Sequence, residues 1–130
     1  MTKPNFQLIL QQGFDAYIKG NFIEAERLYT TVLHNYPSHP KINNDLGLIQ
    51  KSLGKLDEAE LSFKKAIDLK PDFANSYMNY GNLSIVCKKY DEAITLFKKA
   101  VELDPNLYLV YYNLGVVLFN QGKLDEAEKN

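Results

Sequence analysis

The 130 residues hold one cysteine, Cys87, and two histidines, His34 and His39. An intramolecular disulfide is thereby excluded, and a soft metal site lacks donors. A reducing, cytoplasmic setting is the expectation. Neither sign of charge is in excess, since fifteen basic and sixteen acidic residues leave a net charge of -1. That balance offers no electrostatic footprint for nucleic acid or for an anionic membrane surface. Long hydrophobic runs are missing as well. Near the N-terminus Phe6, Leu8, Ile9 and Leu10 are interrupted by Gln7 and followed by Gln11 and Gln12, a stretch too short and too polar for a signal peptide or a membrane span. No linker, low-complexity tract or charge block divides the chain, and its 45% hydrophobic content is enough for a continuous core.

What the chain has is a period. Gly13, Gly47, Gly81 and Gly115 stand 34 residues apart, and Ala25, Ala59, Ala93 and Ala127 keep the same interval. A repeat of that length is one supersecondary unit that cannot bury its own apolar face, so successive units must stack. Residues 1–5 form a tail, and the repeats run 6–39, 40–73, 74–107 and, incompletely, 108–130. In each, a first apolar-periodic segment reaches Gly20, Gly54 or Gly122, where a helix can end in a left-handed residue. Repeat three has Lys88 at this place, at a cost of roughly 1 kcal/mol if the backbone is the same. A second segment opens on Asp57-Glu58, Asp91-Glu92 or Asp125-Glu126, acids suited to cap a helix N-terminus. It closes at Pro37, Pro71 or Pro105. The predicted fold is all-α: a right-handed α-solenoid of antiparallel helix pairs, three full repeats plus a truncated fourth. Large residues recur in register, with Leu46, Leu56, Phe63, Ala66 and Leu69 matched by Tyr80, Tyr90, Phe97, Ala100 and Leu103.

These residues carry a family resemblance. Leu46-Gly47, Gly54, Leu56-Asp57-Glu58-Ala59, Phe63, Ala66 and Leu69-Lys70-Pro71 resemble a tetratricopeptide repeat, as do Asn113-Leu114-Gly115 and Gly122 to Ala127. The resemblance spans nearly the whole chain from Phe6. Three departures stand out. Ile9 and Asn43 replace the bulky aromatic that Tyr77 and Tyr111 supply four residues before the glycine, and a buried Asn43 amide would need partners. The first repeat has Gln12 where an apolar residue precedes the glycine, which fits a capping unit. The fourth stops about six residues into its second helix, a count read from the repeat register. The favoured explanation is a fragment of a longer array. The alternative is pairing with another molecule through Leu114, Val117 and Leu118, left partly uncovered.

The resemblance implies a non-enzymatic interaction scaffold with a concave face lined by the first helices. Asn79 and Asn113, with Asn75 and Asn82 nearby and Asn44 one repeat earlier, offer amides to an extended peptide backbone. They resemble the asparagine ladder in the arrays of O-linked N-acetylglucosamine transferase. Met78, Ile85, Val86, Tyr112, Val116 and Phe119 would form an apolar groove beside them, or pack between repeats instead. The carboxylate clamp of the family is rejected, because its cationic positions hold Leu10 and Asn75, or Asn44 and Leu109. Lys64-Lys65 and Lys98-Lys99 read as a solvated convex face, Cys87 as a small core thiol, and the histidines as turn residues. No catalytic residue, cofactor or metal is expected, and the partner is a protein or peptide. Two other readings stay open: a recruiting region of a larger enzyme such as a glycosyltransferase or sulfotransferase, and a self-associating array.

Overall fold

The computed structural model describes residues 5–129, with the side chains of Leu124, Glu126, Ala127 and Lys129 outside the description. Among the described residues there are seven helices and no strand. The chain divides into two compact units, Met1–Lys70 and Pro71–Asn130. The first contains α1 (Phe6–Ile18), α2 (Phe22–Asn35), α3 (Pro40–Ser52) and α4 (Leu56–Leu69); the second contains α5 (Ala74–Val86), α6 (Tyr90–Leu103) and α7 (Tyr108–Lys129). The fold class is the expected all-α array of helix pairs, with α1 on α2, α3 on α4 and α5 on α6.

One turn design joins each pair. Asn21, Lys55 and Lys89 donate their backbone N–H to Ala16, Gln50 and Ser84, five residues back, while the residue before each donates to Tyr17, Lys51 or Ile85. This double closure satisfies the last carbonyls of the helix and requires a left-handed residue. Gly20 and Gly54 supply it at φ +80° and +76°, and Lys88 is held in the same region at +60°. The third repeat thus keeps the backbone without the glycine.

Helix starts divide into two kinds. Asn5, Asn21 and His39 cap α1, α2 and α3 with side-chain acceptors for Leu8, Glu24 and Ile42. The N-caps of α4 and α6 are Lys55 and Lys89, which accept nothing through their side chains. The acids expected to cap these helices sit in the first turn instead, where their charge favours the helix N-terminus without a capping bond.

Each unit has its own core. Ala25, Tyr29, Val32, Ile42, Leu46 and Ile49 form one cluster; Ala93, Phe97, Ala100, Val110 and Val117 form the other. Sixteen residues after the glycine of each full repeat comes a ring that lies on it: Tyr29 on Gly13, Phe63 on Gly47 and Phe97 on Gly81. A Cβ at Gly47 or Gly81 would meet the phenyl edge at 2.6 Å, so hydrogen is the only side chain that fits.

Asn43 finds its partners within the first unit. Its amide donates to the carbonyls of Pro37 and His39 at 3.1 and 2.8 Å. Tyr77 and Tyr111, at the matching repeat position, donate to Pro71 and Pro105 at 3.0 and 3.3 Å. In all three repeats the group four residues before the glycine ties down the proline carbonyl that ends the preceding helix. Asparagine does by a short reach what tyrosine does by a long one.

The fourth repeat differs from its expected form. No turn occurs at Gly122, and α7 continues for 22 residues. A separate second helix would have to be nucleated again, whereas extending an existing helix adds one hydrogen bond per residue. Among the described residues, nothing approaches the position of a Cβ at Gly115.

Candidate functional site

The candidate residues divide by unit. Asn44, on α3, is only 5% exposed and donates to Asp45 at 3.3 Å. Its expected place on an open surface is therefore corrected. Seven of the thirteen residues of α3 are buried, and the helix packs on both α2 and α4, which leaves little of it open.

In the second unit, α5 and α7 bring two predicted amides together. Asn113 Nδ2 donates to Asn82 Oδ1 at 2.8 Å, across 31 residues of sequence. Asn79 is half-buried on the same helix as Asn82, and Asn75 is exposed in the first turn. Tyr112, Val116 and Phe119, at i, i+4 and i+7 on α7, share one helix face. Tyr112 is 70% exposed, Phe119 63%, and Val116 is also open to solvent. Lys123 Nζ lies 4.5 Å from the centre of the Phe119 ring. Met78 and Ile85 behave differently, packing against the core cluster of the unit. Of the apolar groove expected from the sequence, the α7 residues are open, while Met78 and Ile85 belong chiefly to packing.

The proposed association face is likewise mixed. Val117 is fully buried, so its expected exposure is wrong. It lies one helical heptad after Val110, also fully buried, and both point into the core. Leu114 is half-buried against the same cluster, and only Leu118 is widely exposed.

The chemically reactive groups have structural uses. His39 Nδ1 accepts from the Ile42 N–H, and Cys87 is the C-cap of α5. Glu92 accepts from the Tyr80 hydroxyl at 2.8 Å. Lys64, Lys65 and Lys98 are exposed on second helices, with Glu60 3.5 Å from Lys64. Among the described residues no cluster of three His, Cys, Asp or Glu could hold a metal ion, and no helix is long and apolar enough to cross a membrane.

The first unit contains openings that none of the candidate groove or association residues line. A cavity of about 180 Å³ is lined by Phe14, Tyr17, Tyr29, Lys41, Asp45, Leu48 and Ile49. A more open one of about 410 Å³ shares Phe14, Tyr29, Lys41 and Asp45, with Gln7 and Gln11 on its α1 side. Burial, then the charge of Asp45, pushes the Tyr29 phenol up to about 12. Lys51, half-buried, is lowered by loss of solvation. The signal in the sequence was tyrosine at a position where the next two repeats have phenylalanine.

Comparison with known proteins agrees with this architecture. Family signatures described as "Tetratricopeptide repeat" and "TPR repeat" match residues 40–73 and 87–127. The protein CTR9 homolog of Arabidopsis thaliana is 29% identical over 86 residues, covering 65% of this chain and 8% of that protein. The first TPR domain of Spaghetti (RPAP3), bound to the HSP90 peptide SRMEEVD, superposes with a TM-score of 0.85 at 20% identity, over 90% of this chain and 93% of that one. An O-GlcNAc transferase from Thermobaculum terrenum gives 0.81 at 26% identity, over 91% of this chain and 23% of that one.

Proposed function

The chain belongs to the tetratricopeptide-repeat family, and from that premise we propose that it is a non-enzymatic interaction scaffold taking an extended protein segment along α5 and α7. The observation that carries this reading is the Asn82–Asn113 amide pair beside the open stripe of Tyr112, Val116 and Phe119. After bonding to each other, the two amides still have N–H groups on Asn82 and an oxygen on Asn113 to offer. Donor and acceptor side by side match the backbone of an extended peptide, and the aromatic stripe would receive its apolar side chains.

The test is selection of binders from a random peptide library, followed by NMR mapping of the best one. Signals of Asn82, Tyr112, Asn113 and Phe119 should move, and Asn113→Ala or Phe119→Ala should weaken binding by roughly tenfold, the scale of one good interfacial contact. Shifts confined to Lys64, Lys65, Lys98 and Lys99, with both variants binding normally, would sink the reading.

A second reading is favoured by the lengths of the relatives. The chain spans 8% of the CTR9 homolog and 23% of the transferase chain. The same groove would then recruit substrates or partners for a longer protein, an enzyme such as a glycosyltransferase or sulfotransferase among the options. A third reading, self-association, rests on the open space at Gly115 next to the exposed Leu118.

A further inference from the structure

The ring that follows each glycine by sixteen residues is phenylalanine in repeats two and three, where it is completely buried. In repeat one it is Tyr29, only 3% exposed, and the added hydroxyl makes no hydrogen bond to any described residue. A buried hydroxyl without a partner is costly. Its oxygen, however, is not sealed in: no fully enclosed polar side-chain atom of the described residues lacks a partner. Tyr29 lines the two cavities described above, the one of about 180 Å³ and the one of about 410 Å³.

What surrounds that opening is selective. Phe14 and Tyr17 of α1 supply aromatic walls and Leu48 of α3 an apolar one. The Asp45 carboxylate lines the same cavity as Tyr29, and its charge helps to raise the Tyr29 phenol. Asp45 accepts from Asn44 at 3.3 Å and from Lys41 at 3.0 Å. Lys41 is itself widely exposed, and a pair of that kind is weak enough to be displaced. Aromatic faces carry negative potential and attract cations, and a carboxylate repels an anion.

We infer that the pocket of Phe14, Tyr17, Tyr29, Asp45 and Leu48 is a subsite for the basic side chain of a peptide, an arginine or lysine. The alkyl stem lies against Phe14 and Leu48. The cationic head donates to Asp45 and to the Tyr29 oxygen, displacing Lys41. A cavity of about 180 Å³ accommodates one such side chain. This site lies wholly in the first unit and does not depend on the α5 and α7 groove.

Blocked tripeptides, acetyl-Gly-Xaa-Gly-amide with Xaa arginine, lysine, glutamate or norleucine, test it by NMR titration of the aromatic and methyl signals. The arginine and lysine peptides should saturate shifts of Phe14, Tyr17 and Leu48 with millimolar affinity, and Asp45→Asn should weaken them roughly tenfold, the scale of one charge-assisted hydrogen bond. Lys41→Ala should tighten binding by removing the competing cation. Tyr29→Phe, which installs the ring already used by Phe63 and Phe97, should fold normally and bind several-fold more weakly. Equal binding of the norleucine or glutamate peptide, no shift with any of the four, or unchanged affinity in Asp45→Asn would each overturn the assignment.

Discussion

A glycine inside a helix can have a ring lying against it or only open space beside it, and the two cases respond oppositely to alanine. Gly47 and Gly81 are of the first kind, with a phenyl edge 2.6 Å from where a Cβ would stand. Alanine at either should force the Phe63 or Phe97 ring out of its seat and cost about 1–3 kcal/mol, as overpacked cores do. Gly115 occupies the same repeat position on α7 but meets nothing. There Gly115→Ala should stabilise α7 by about 0.5–1 kcal/mol through helix propensity alone. Chemical denaturation of the three variants checks this, and equal losses at all three would show that the ring contact is not the reason for the glycine. The 34-residue beat made these four positions legible, but not the difference among them. Which glycine is covered depends on the seating of a ring sixteen residues on, Tyr29, Phe63 or Phe97, and spacing alone does not show that contact. Asn43 was obscure for a related reason. Composition marks it as a lapse from tyrosine, while its reach to the Pro37 carbonyl is a matter of distance.

At the scale of elements, the turns were the most readable part and the helix starts the least. Gly20 and Gly54 announce left-handed closures, and the equivalent Lys88 was expected to be strained there; its φ of +60° places it in that region. Lys88→Gly should therefore raise the melting temperature, with a gain of about 1 kcal/mol, offset in part by the greater freedom of glycine in the unfolded chain. No gain would mean that the Lys88 side chain has a compensating contact. The paired acids were misread as caps because charge near a helix start serves two functions that sequence alone does not separate. They lie in the first turn, past the N-cap position, which in α4 and α6 is held by a lysine without a side-chain capping bond. The break at Gly122 failed for a different reason. A glycine permits a turn, but the turn forms only when the helix beyond it has a surface to cover. The candidate site shows the same division. Spacing put Asn82 and Asn113 on facing first helices and Tyr112, Val116 and Phe119 on one stripe, whereas the burial of Asn44, Met78 and Val117 depends on neighbours that spacing does not count.

For the molecule as a whole, two titrations pull in opposite directions in alkali. Tyr29 is raised in the folded state to about 12, so its contribution is complete below the ordinary tyrosine range and lost as pH climbs from there toward 12. Lys51 is lowered by burial, so its charged form opposes folding at neutral pH and that penalty disappears as pH passes its depressed value. Denaturation as a function of pH should accordingly show a steep loss above about pH 10 that Tyr29→Phe reduces. A profile identical in the variant would remove Tyr29 as its cause. Association between molecules is the remaining property at this scale, and the structure narrows where to look. Of the three residues first assigned to it, Val117 is a core residue and Leu114 packs on the core, so changing either would damage the unit rather than test the contact. Leu118 is 52% exposed and sits one turn from the open Gly115. The covered glycines show what such a notch accepts, an aromatic ring from a second helix. If chains associate through this face, Leu118→Glu should lower the weight-average mass in sedimentation equilibrium without altering the helical content, because burying a carboxylate in an apolar contact is strongly opposed. Gly115→Val, which fills the notch while leaving Leu118 in place, should do the same. A mass that is unchanged in both variants would exclude this end of α7 from any assembly the protein forms.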